Sequence, residues 1–180
     1  MGKVLKIVLG SVVGIILVCA VCGGILWGQR NTAVDLEERI NAQYVTNQSN
    51  YDNMWKKFKE LVQVTDIQAN QMKDVYEGLI TGRYKDPNLL FKMVQEQNPQ
   101  LNIEVYANIQ REISSGRNSF TNDQKQIADI IREYNSYVRK NIIMTAITNC
   151  QVKDASEFIV TSEQTQNAFK NRKDGETLLK

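Results

Sequence analysis

Residues 7–29 read IVLGSVVGIILVCAVCGGILWGQ, an uninterrupted run of 23 residues without a charged side chain. An α-helix rises about 1.5 Å per residue and the hydrocarbon core of a bilayer is about 30 Å thick, so about 20 apolar residues span it. Lys3 and Lys6 precede the run, Arg30 follows it, and Trp27 stands where an interfacial aromatic is expected. The run therefore predicts a single transmembrane helix that ties the chain to the cell membrane.

A cleaved secretory signal peptide is the alternative interpretation of the same residues. Lys3 and Lys6 would form its basic region, and Val18 and Ala20 would precede the cleavage site. The apolar part of a signal peptide usually has about 7–15 residues, whereas this run continues through Trp27. The length favours a retained anchor.

Four glycines in the run stand in two pairs with the spacing that lets membrane helices approach closely. The pairs are Gly10 with Gly14 and Gly24 with Gly28. We therefore predict membrane-anchor packing at these positions, with lipid as one partner and a homo-oligomer as one outcome.

The charges outside the run are balanced. The whole chain has 22 Lys and Arg and 20 Asp and Glu; because Lys3 and Lys6 precede the run and the first acid is Asp35, residues 30–180 carry 20 of each sign (22 minus two, against 20). A nucleic-acid-binding protein would show a basic surplus, so nucleic acid is excluded as an expected partner. The basic residues nearest the run are tied at two on each side, which leaves the orientation in the membrane open.

Cysteine and histidine usage gives no cofactor or metal site. Cys19 and Cys22 lie inside the apolar run, so Cys150 has no intrachain partner in the rest of the chain. The chain has no histidine, which argues against zinc. We therefore expect neither a cofactor nor a metal.

The remaining sequence is patterned as long helices. Residues 29–77 contain neither Gly nor Pro, and residues 100–180 contain no Pro. Apolar side chains recur at alternating spacings of three and four over residues 51–79 and again over 106–138, with a polar gap at 123 and 124. A period near 3.5 is typical of coiled-coil-like helices packed along their length. We predict an all-α protein: a single N-terminal transmembrane helix followed by an antiparallel bundle of long helices.

Three segments follow from this pattern: an anchor at 1–30, a long-helix bundle at 31–150 and a weakly structured C-terminal segment and tail at 151–180. In the bundle, one long helix should run to about residue 77, a short one over 87–97 and a second long one over about 100–147. Gly116 on the apolar face of the last helix indicates a kink or a close helix approach. The predicted shared core contains Phe58, Leu61, Ile113, Ile130 and Tyr134.

The layout resembles the LemA family, which has an N-terminal membrane helix followed by a long-helix antiparallel bundle. The residues Arg132, Glu133, Tyr134 and Asn135 match the R-E-Y-N motif near the end of the last long helix of that family. The family's paired arginines followed by D-L-I-P-N-L are missing here, where residues 49–55 read SNYDNMW. The resemblance implies the fold more than an activity, because the family's activity is poorly defined.

No catalytic motif is visible in the sequence. There is no Gly-rich phosphate loop and no G-x-S-x-G. The carboxylates Glu37, Glu38, Asp123 and Asp129 are expected to be solvated charges on exposed helices. Tyr106, Tyr134 and Tyr137 are expected in the core.

Two functions follow as expectations. The first is a non-enzymatic, membrane-anchored helical scaffold or adaptor of the cell envelope that binds protein partners. The second is an enzyme or a protease cofactor in a membrane-associated assembly, whose groups converge only in three dimensions. A deep pocket lined by converging carboxylates would favour the second.

Overall fold

The computed structural model describes residues 2–160 and Lys170; in this part of the chain all regular secondary structure is helical, and there is no β-strand. The elements are α1 (Gly2–Val62), α2 (Asp66–Ile80), α3 (Asn88–Gln97), α4 (Ile103–Lys140), α5 (Ile142–Thr148) and a 3-10 turn (Ala155–Glu157). The predicted all-α class is confirmed. Of the predicted C-terminal segment, residues 161–169 and 171–180 lie outside the described residues.

The first long helix ends earlier than the sequence pattern predicted. Gln63 adopts a positive φ of 50° directly after α1, and Thr65 begins α2 as its N-cap. The Thr65 hydroxyl accepts a hydrogen bond from the Gln68 amide, while the Gln68 side chain accepts one from the Thr65 amide at 3.0 Å. This reciprocal capping box satisfies two amides that a helix start leaves free. The helix therefore breaks without Gly or Pro.

The second long helix is also shorter than predicted, because it breaks at Asn141. The Asn141 side-chain amide donates to the Tyr137 carbonyl at 2.9 Å, and the Thr145 hydroxyl donates to the Val138 carbonyl at 2.8 Å. The Asn141 backbone amide still bonds to the Tyr137 carbonyl at 3.2 Å, whereas the Val138 carbonyl, which the next amide of a continuing helix would bond, has the Thr145 hydroxyl as its donor. Residues 142–148 form the separate helix α5, which ends at Asn149 in the left-handed conformation with φ 53°.

The described chain forms two compact units. Unit 1 comprises Met1–Asn41 and Asp129–Asp154, and unit 2 comprises Ala42–Ala128 and Ala155–Lys180. In unit 1 the buried apolar side chains are Ala33, Leu36, Ile40, Ile130, Ile131, Tyr134, Val138 and Met144. In unit 2 the core includes Met54, Phe58, Val62, Met72, Tyr76, Leu79, Ile80, Leu90, Val94, Ile109 and Ile113.

The residues that were predicted to form one shared core are divided between the two units. Phe58 and Ile113 belong to the core of unit 2, whereas Ile130 and Tyr134 are buried in unit 1. Leu61 is only half-buried, because Val62 takes the fully buried position beside it. Leu61 and Val62 both fit the apolar spacing of three and four residues. Which of the two is buried depends on how the helix is rotated about its axis.

A polar layer in unit 2 explains the gap in the second apolar series. The Asn50 side chain donates to the Asp123 carboxylate at 3.0 Å, and the Asn47 side chain donates to the Asp123 backbone carbonyl at 3.1 Å. Gln43 in turn donates to Asn47 at 2.8 Å. Asp123 is thus half-buried and hydrogen-bonded rather than freely solvated, which corrects the expectation from sequence.

Gly116 marks a close approach between helices, and α4 continues through it. A Cβ atom placed on Gly116 would lie 2.8 Å from Cδ1 of Ile80 and 3.3 Å from the sulfur of Met54. The next residue, Arg117, donates from Nε and Nη2 to the Leu79 carbonyl at 3.0 and 2.8 Å. A cation at the C-terminal carbonyls of α2 complements the helix dipole. Gly116 therefore lets the end of α2 pack on α4, where Arg117 caps it.

Replacing Gly116 with valine should destabilise the protein by about 1–3 kcal/mol, because the added atoms overfill a packed contact. Ser115→Val is the matched control, since it puts the same β-branched side chain at an exposed position of α4. Thermal unfolding in detergent, followed by circular dichroism, measures both variants. Equal melting temperatures for the two variants would contradict the close approach.

Candidate functional site

The apolar half of α1 is the most unusual surface of the described chain. Every residue from 2 to 25 is exposed, and Leu26 is the first that is partly covered. Burial begins beyond the run, with Ala33, Leu36 and Ile40 at spacings of three and four. Among the described residues, α1 is the one helix long and apolar enough to cross a membrane, judged by length and composition.

Aromatic and polar contacts begin where the apolar run ends. Trp27 is 65% exposed, and the Arg30 guanidinium lies 5.9 Å from the centre of its ring. This distance is within the range of a cation–π contact. The Tyr137 hydroxyl of α4 donates to the Gln29 backbone carbonyl at 3.1 Å. Residues 27–30 therefore join an uncovered apolar helix to the packed part of unit 1.

The four predicted anchor glycines lie on the exposed surface of α1. A Cβ atom on Gly10, Gly14, Gly24 or Gly28 would have no neighbour within 4 Å. Nothing in the described chain fills these positions, so they are open to lipid or to another helix. Packing through them stays a prediction.

The first two residues of the Arg132–Asn135 motif point to the surface. Arg132 forms an ion pair with Asp129 at 3.1 Å, three residues earlier on α4, and both side chains are mostly exposed. Glu133 pairs with Arg39 of α1 at 3.1 Å, with each side chain about half exposed. Exposed pairs of this kind contribute about 0–1 kcal/mol. The ion pairs of Arg132 and Glu133 therefore contribute little to the stability of the fold.

The last two residues of the motif hold the chain that returns after α5. The Tyr134 hydroxyl donates to the Gln151 carbonyl at 3.0 Å. The Asn135 amide donates to the Lys153 carbonyl and accepts from the Lys153 backbone amide, both at 2.8 Å. Burial, followed by the nearby Glu37 and Cys150, raises the pKa of Tyr134, so its hydroxyl stays protonated as a donor. The motif acts as a clamp on residues 151–153.

A third contact completes this clamp from α1. The Lys153 ammonium lies 2.6 Å from the Glu37 carboxylate, with both side chains partly covered. Lys153 thus meets α4 through its backbone and α1 through its side chain. The sequence pattern treated residues 151–180 as weakly structured, and it missed Gln151 and Lys153 because backbone partners leave no side-chain signature.

Replacing Asn135 with alanine should cost about 1–3 kcal/mol, because the Lys153 amide and carbonyl both lose their partner. Arg132→Ala is the matched control in the same motif, and it should cost well under 1 kcal/mol because its ion pair is exposed. Urea unfolding in detergent micelles measures both variants. A larger loss for Arg132→Ala would mean that the motif acts at its surface instead of as a clamp.

The other candidate groups do not converge. Glu37 pairs with Lys153, and Asp129 pairs with Arg132. Asp123 accepts from Asn50. Of the three tyrosines named from the sequence, Tyr134 and Tyr137 lie in unit 1, while Tyr106 lies in unit 2 and packs edge-on against Phe91 with 5.8 Å between ring centres.

Two further tyrosines, both in unit 2, have pKa values that burial raises. Burial, then the Glu77 carboxylate, raises the pKa of Tyr51 to about 12. Burial also raises the pKa of Tyr76, whose hydroxyl donates to the Met54 carbonyl at 2.9 Å and whose ring stacks on Phe58. Both hydroxyls therefore stay protonated at neutral pH.

Within the described residues, no group of three or more Cys, Asp or Glu side chains is placed to hold a metal ion. A groove of about 380 Å³ in unit 2 is lined by Asn50, Asn53, Met54, Lys56, Lys57, Glu60 and Ser119, and therefore contains a single carboxylate.

The three cysteines lie apart from this groove lining. Cys19 and Cys22 are exposed on α1, and the Cys150 sulfur lies 3.1 Å from the Thr148 hydroxyl.

Comparison with known proteins finds no matching family model, no matching curated protein and no matching solved structure.

Proposed function

We propose that this protein is a single-pass, membrane-anchored helical scaffold or adaptor of the cell envelope that binds protein partners. The observation that carries the proposal is the wholly exposed apolar surface of α1 over residues 2–25, whereas covered residues of the same helix begin at Leu26. A core helix of a soluble protein would have its apolar side chains covered. Burial in lipid gives these side chains the apolar surroundings that the described chain does not supply.

The continuity of α1 supports a retained anchor. The helix runs without a break from Gly2 to Val62, through the apolar run and into the packed units. A cleavage near Ala20 would cut inside this helix, six residues before its first covered residue, Leu26. An uninterrupted helix of this kind carries the orientation of the membrane segment directly into the packed part of unit 1.

Contacts between α1 and α4 support an antiparallel bundle of long helices. In unit 2, the side chains of Asn47 and Asn50 on α1 both donate hydrogen bonds to Asp123 on α4. In unit 1, Gln29 bonds to Tyr137 and Arg39 pairs with Glu133. Within unit 1, higher residue numbers on α1 match lower numbers on α4, which is the relation that antiparallel helices give. This layout and the Arg132–Asn135 motif support a LemA-like relationship.

The scaffold role is supported by how the polar groups are used. Asn135, Lys153 and Glu37 fasten one segment to two helices, and Asn47, Asn50 and Asp123 join α1 to α4. These groups are committed to holding helices in place. We therefore assign the protein a binding role without chemistry of its own.

Alkaline carbonate extraction tests the anchor. The full chain should stay in the membrane pellet, and residues 29–180, which keep the Gln29 carbonyl for Tyr137, should be released. Release of both would contradict the proposal. Protease treatment of intact and of lysed cells then assigns the side of the membrane that the helical units face.

Lysine-reactive crosslinking in intact membranes tests the adaptor role. The full chain should give adducts with other proteins, and the same chain crosslinked after detergent dilution should give fewer. A chain that stays monomeric at every crosslinker dose would contradict the binding of protein partners.

A further inference from the structure

The membrane end of unit 1 contains more than α1. The Tyr137 hydroxyl contacts Gln29, the last residue of the apolar run, and α4 ends three residues later at Lys140. Earlier on α4, Glu133 pairs with Arg39, which lies farther from the run. The helix α4 therefore approaches the end of the apolar run, and α5 starts at that end.

Contacts on both sides of α5 hold it in that position. At its start, the Thr145 hydroxyl donates to the Val138 carbonyl at 2.8 Å. After it, Gln151 accepts from Tyr134 and Lys153 is held by Asn135. The chain thus passes Tyr137, turns through α5 and returns beside Tyr134. The turn through α5 therefore follows directly after the point where α4 contacts Gln29.

One face of α5 is apolar and uncovered. Ile142, Ile143 and Ile147 are 73%, 69% and 67% exposed, and Ala146 beside them is exposed as well. Met144 is fully buried on the other side. Positions one, two, five and six of a helix share a face, so the three isoleucines form one apolar surface. Exposed isoleucines grouped in this way on one short helix mark a contact surface.

The charged residues that precede α5 most closely in the chain are basic. Arg139 and Lys140 are exposed at the end of α4, and Arg30 is exposed at the end of the apolar run. Between Glu133 and Asp154 the chain contains Arg139, Lys140 and Lys153, and Lys153 is paired with Glu37, which leaves Arg139 and Lys140 as the cations next to α5. A short apolar face flanked by cations suits the surface of a bilayer that contains anionic lipid, because the isoleucines enter the acyl boundary while the cations meet the headgroups.

We propose that α5 is a second membrane contact, which lies on the bilayer surface and inserts Ile142, Ile143 and Ile147 at the boundary between headgroups and acyl chains. The inference rests on the proposed anchoring by α1, because the position of α5 is defined relative to the end of the apolar run. A single membrane helix leaves the attached unit free to tilt. A second contact through α5 fixes the orientation of unit 1 on the bilayer.

Fluorescence quenching by brominated lipid tests this contact in the full chain. The protein has two tryptophans, Trp27 and Trp55. Trp55→Phe leaves Trp27 as a reporter of the anchor, and adding Trp27→Phe with Ile143→Trp places the reporter on α5. Each variant is reconstituted into vesicles of phosphatidylcholine and phosphatidylglycerol, with acyl chains either plain or brominated.

A matched control places the reporter elsewhere in unit 1. Val152 is also exposed and apolar, but the adjacent Lys153 pairs with Glu37, eight residues beyond Gln29 on α1. Eight helical residues correspond to about 12 Å along α1, which is beyond the acyl chains. Val152→Trp in the same background should therefore keep its emission in brominated vesicles.

We expect quenching at Trp27 and comparable quenching at position 143, with none at 152. Quenching at 27 without quenching at 143 would overturn the α5 contact and leave the anchor in place; a protein partner or a second copy would then cover the isoleucines. No quenching at 27 would overturn the anchor itself. Equal quenching at 143 and 152 would also overturn the proposal, since the whole unit would lie in lipid. Ile147→Trp repeats the test if Ile143→Trp fails to fold.

Discussion

Replacing Val13 and Leu17 together with arginine should remove the chain from the membrane. Both residues lie in the middle of the exposed apolar run of α1. An arginine near the centre of a membrane helix costs about 2.5–3.5 kcal/mol on insertion scales, so two of them cost about 5–7 kcal/mol together. The fraction of protein that resists carbonate extraction measures the effect, and it should fall to the level of a soluble protein.

The matched control for this double variant is Val45→Arg. Val45 is an exposed apolar residue of the same helix, but it lies beyond the run and in unit 2. Its replacement should leave the carbonate-resistant fraction unchanged. Full resistance of the double-arginine variant would show that α1 does not cross the membrane, and it would refute the anchor and the α5 contact together.

Phe58→Ala should produce the largest loss of stability in unit 2. Phe58 is fully buried, and its ring stacks on Tyr76 with 4.6 Å between centres and on Trp55 with 5.5 Å. Truncating a buried phenylalanine costs about 3–5 kcal/mol, through lost transfer free energy and the cavity left behind. This is a large share of the about 5–15 kcal/mol that stabilises a typical protein.

Leu61→Ala is the control, because Leu61 lies one turn away on the same helix and is only half-buried. Its loss should be clearly smaller than that of Phe58→Ala. Thermal unfolding in detergent micelles, followed by near-ultraviolet circular dichroism, reports the aromatic cluster directly. If the two variants lose equal stability, the buried face of α1 is not the one described.

The candidate site could be predicted only in part from the sequence. The motif at 132–135 was visible as a pattern, but its letters do not show that Arg132 and Glu133 face solvent while Tyr134 and Asn135 hold Gln151 and Lys153. The partners of the clamp are mostly backbone atoms, which any residue type supplies. The sequence also did not show that α5 has an exposed apolar face. Ile142 and Ile143 could equally have been buried residues of a second long helix that continued to about residue 147.

Helix boundaries show where local signals were sufficient and where they were not. The sequence carried a local signal for the end of α1 that our prediction of a helix to about residue 77 missed, because Thr65 and Gln68 form the sequence signature of a capping box. The break at Asn141 had no such signal, because it depends on the Thr145 hydroxyl reaching back to the Val138 carbonyl, and threonine occurs in many helices without doing so.

The sequence by itself determined the apolar run over residues 7–29, the all-α class and the spacing of the helical faces, because length, charge and periodicity are local properties of the chain. Only the tertiary structure decided which face of each helix is buried, the division into two units and the approach of Ile80 to Gly116. Those features depend on contacts between residues dozens of positions apart, and a period of 3.5 is satisfied by more than one rotation of the same helix. The choice of Val62 over Leu61 as the buried neighbour of Phe58 was made by packing alone.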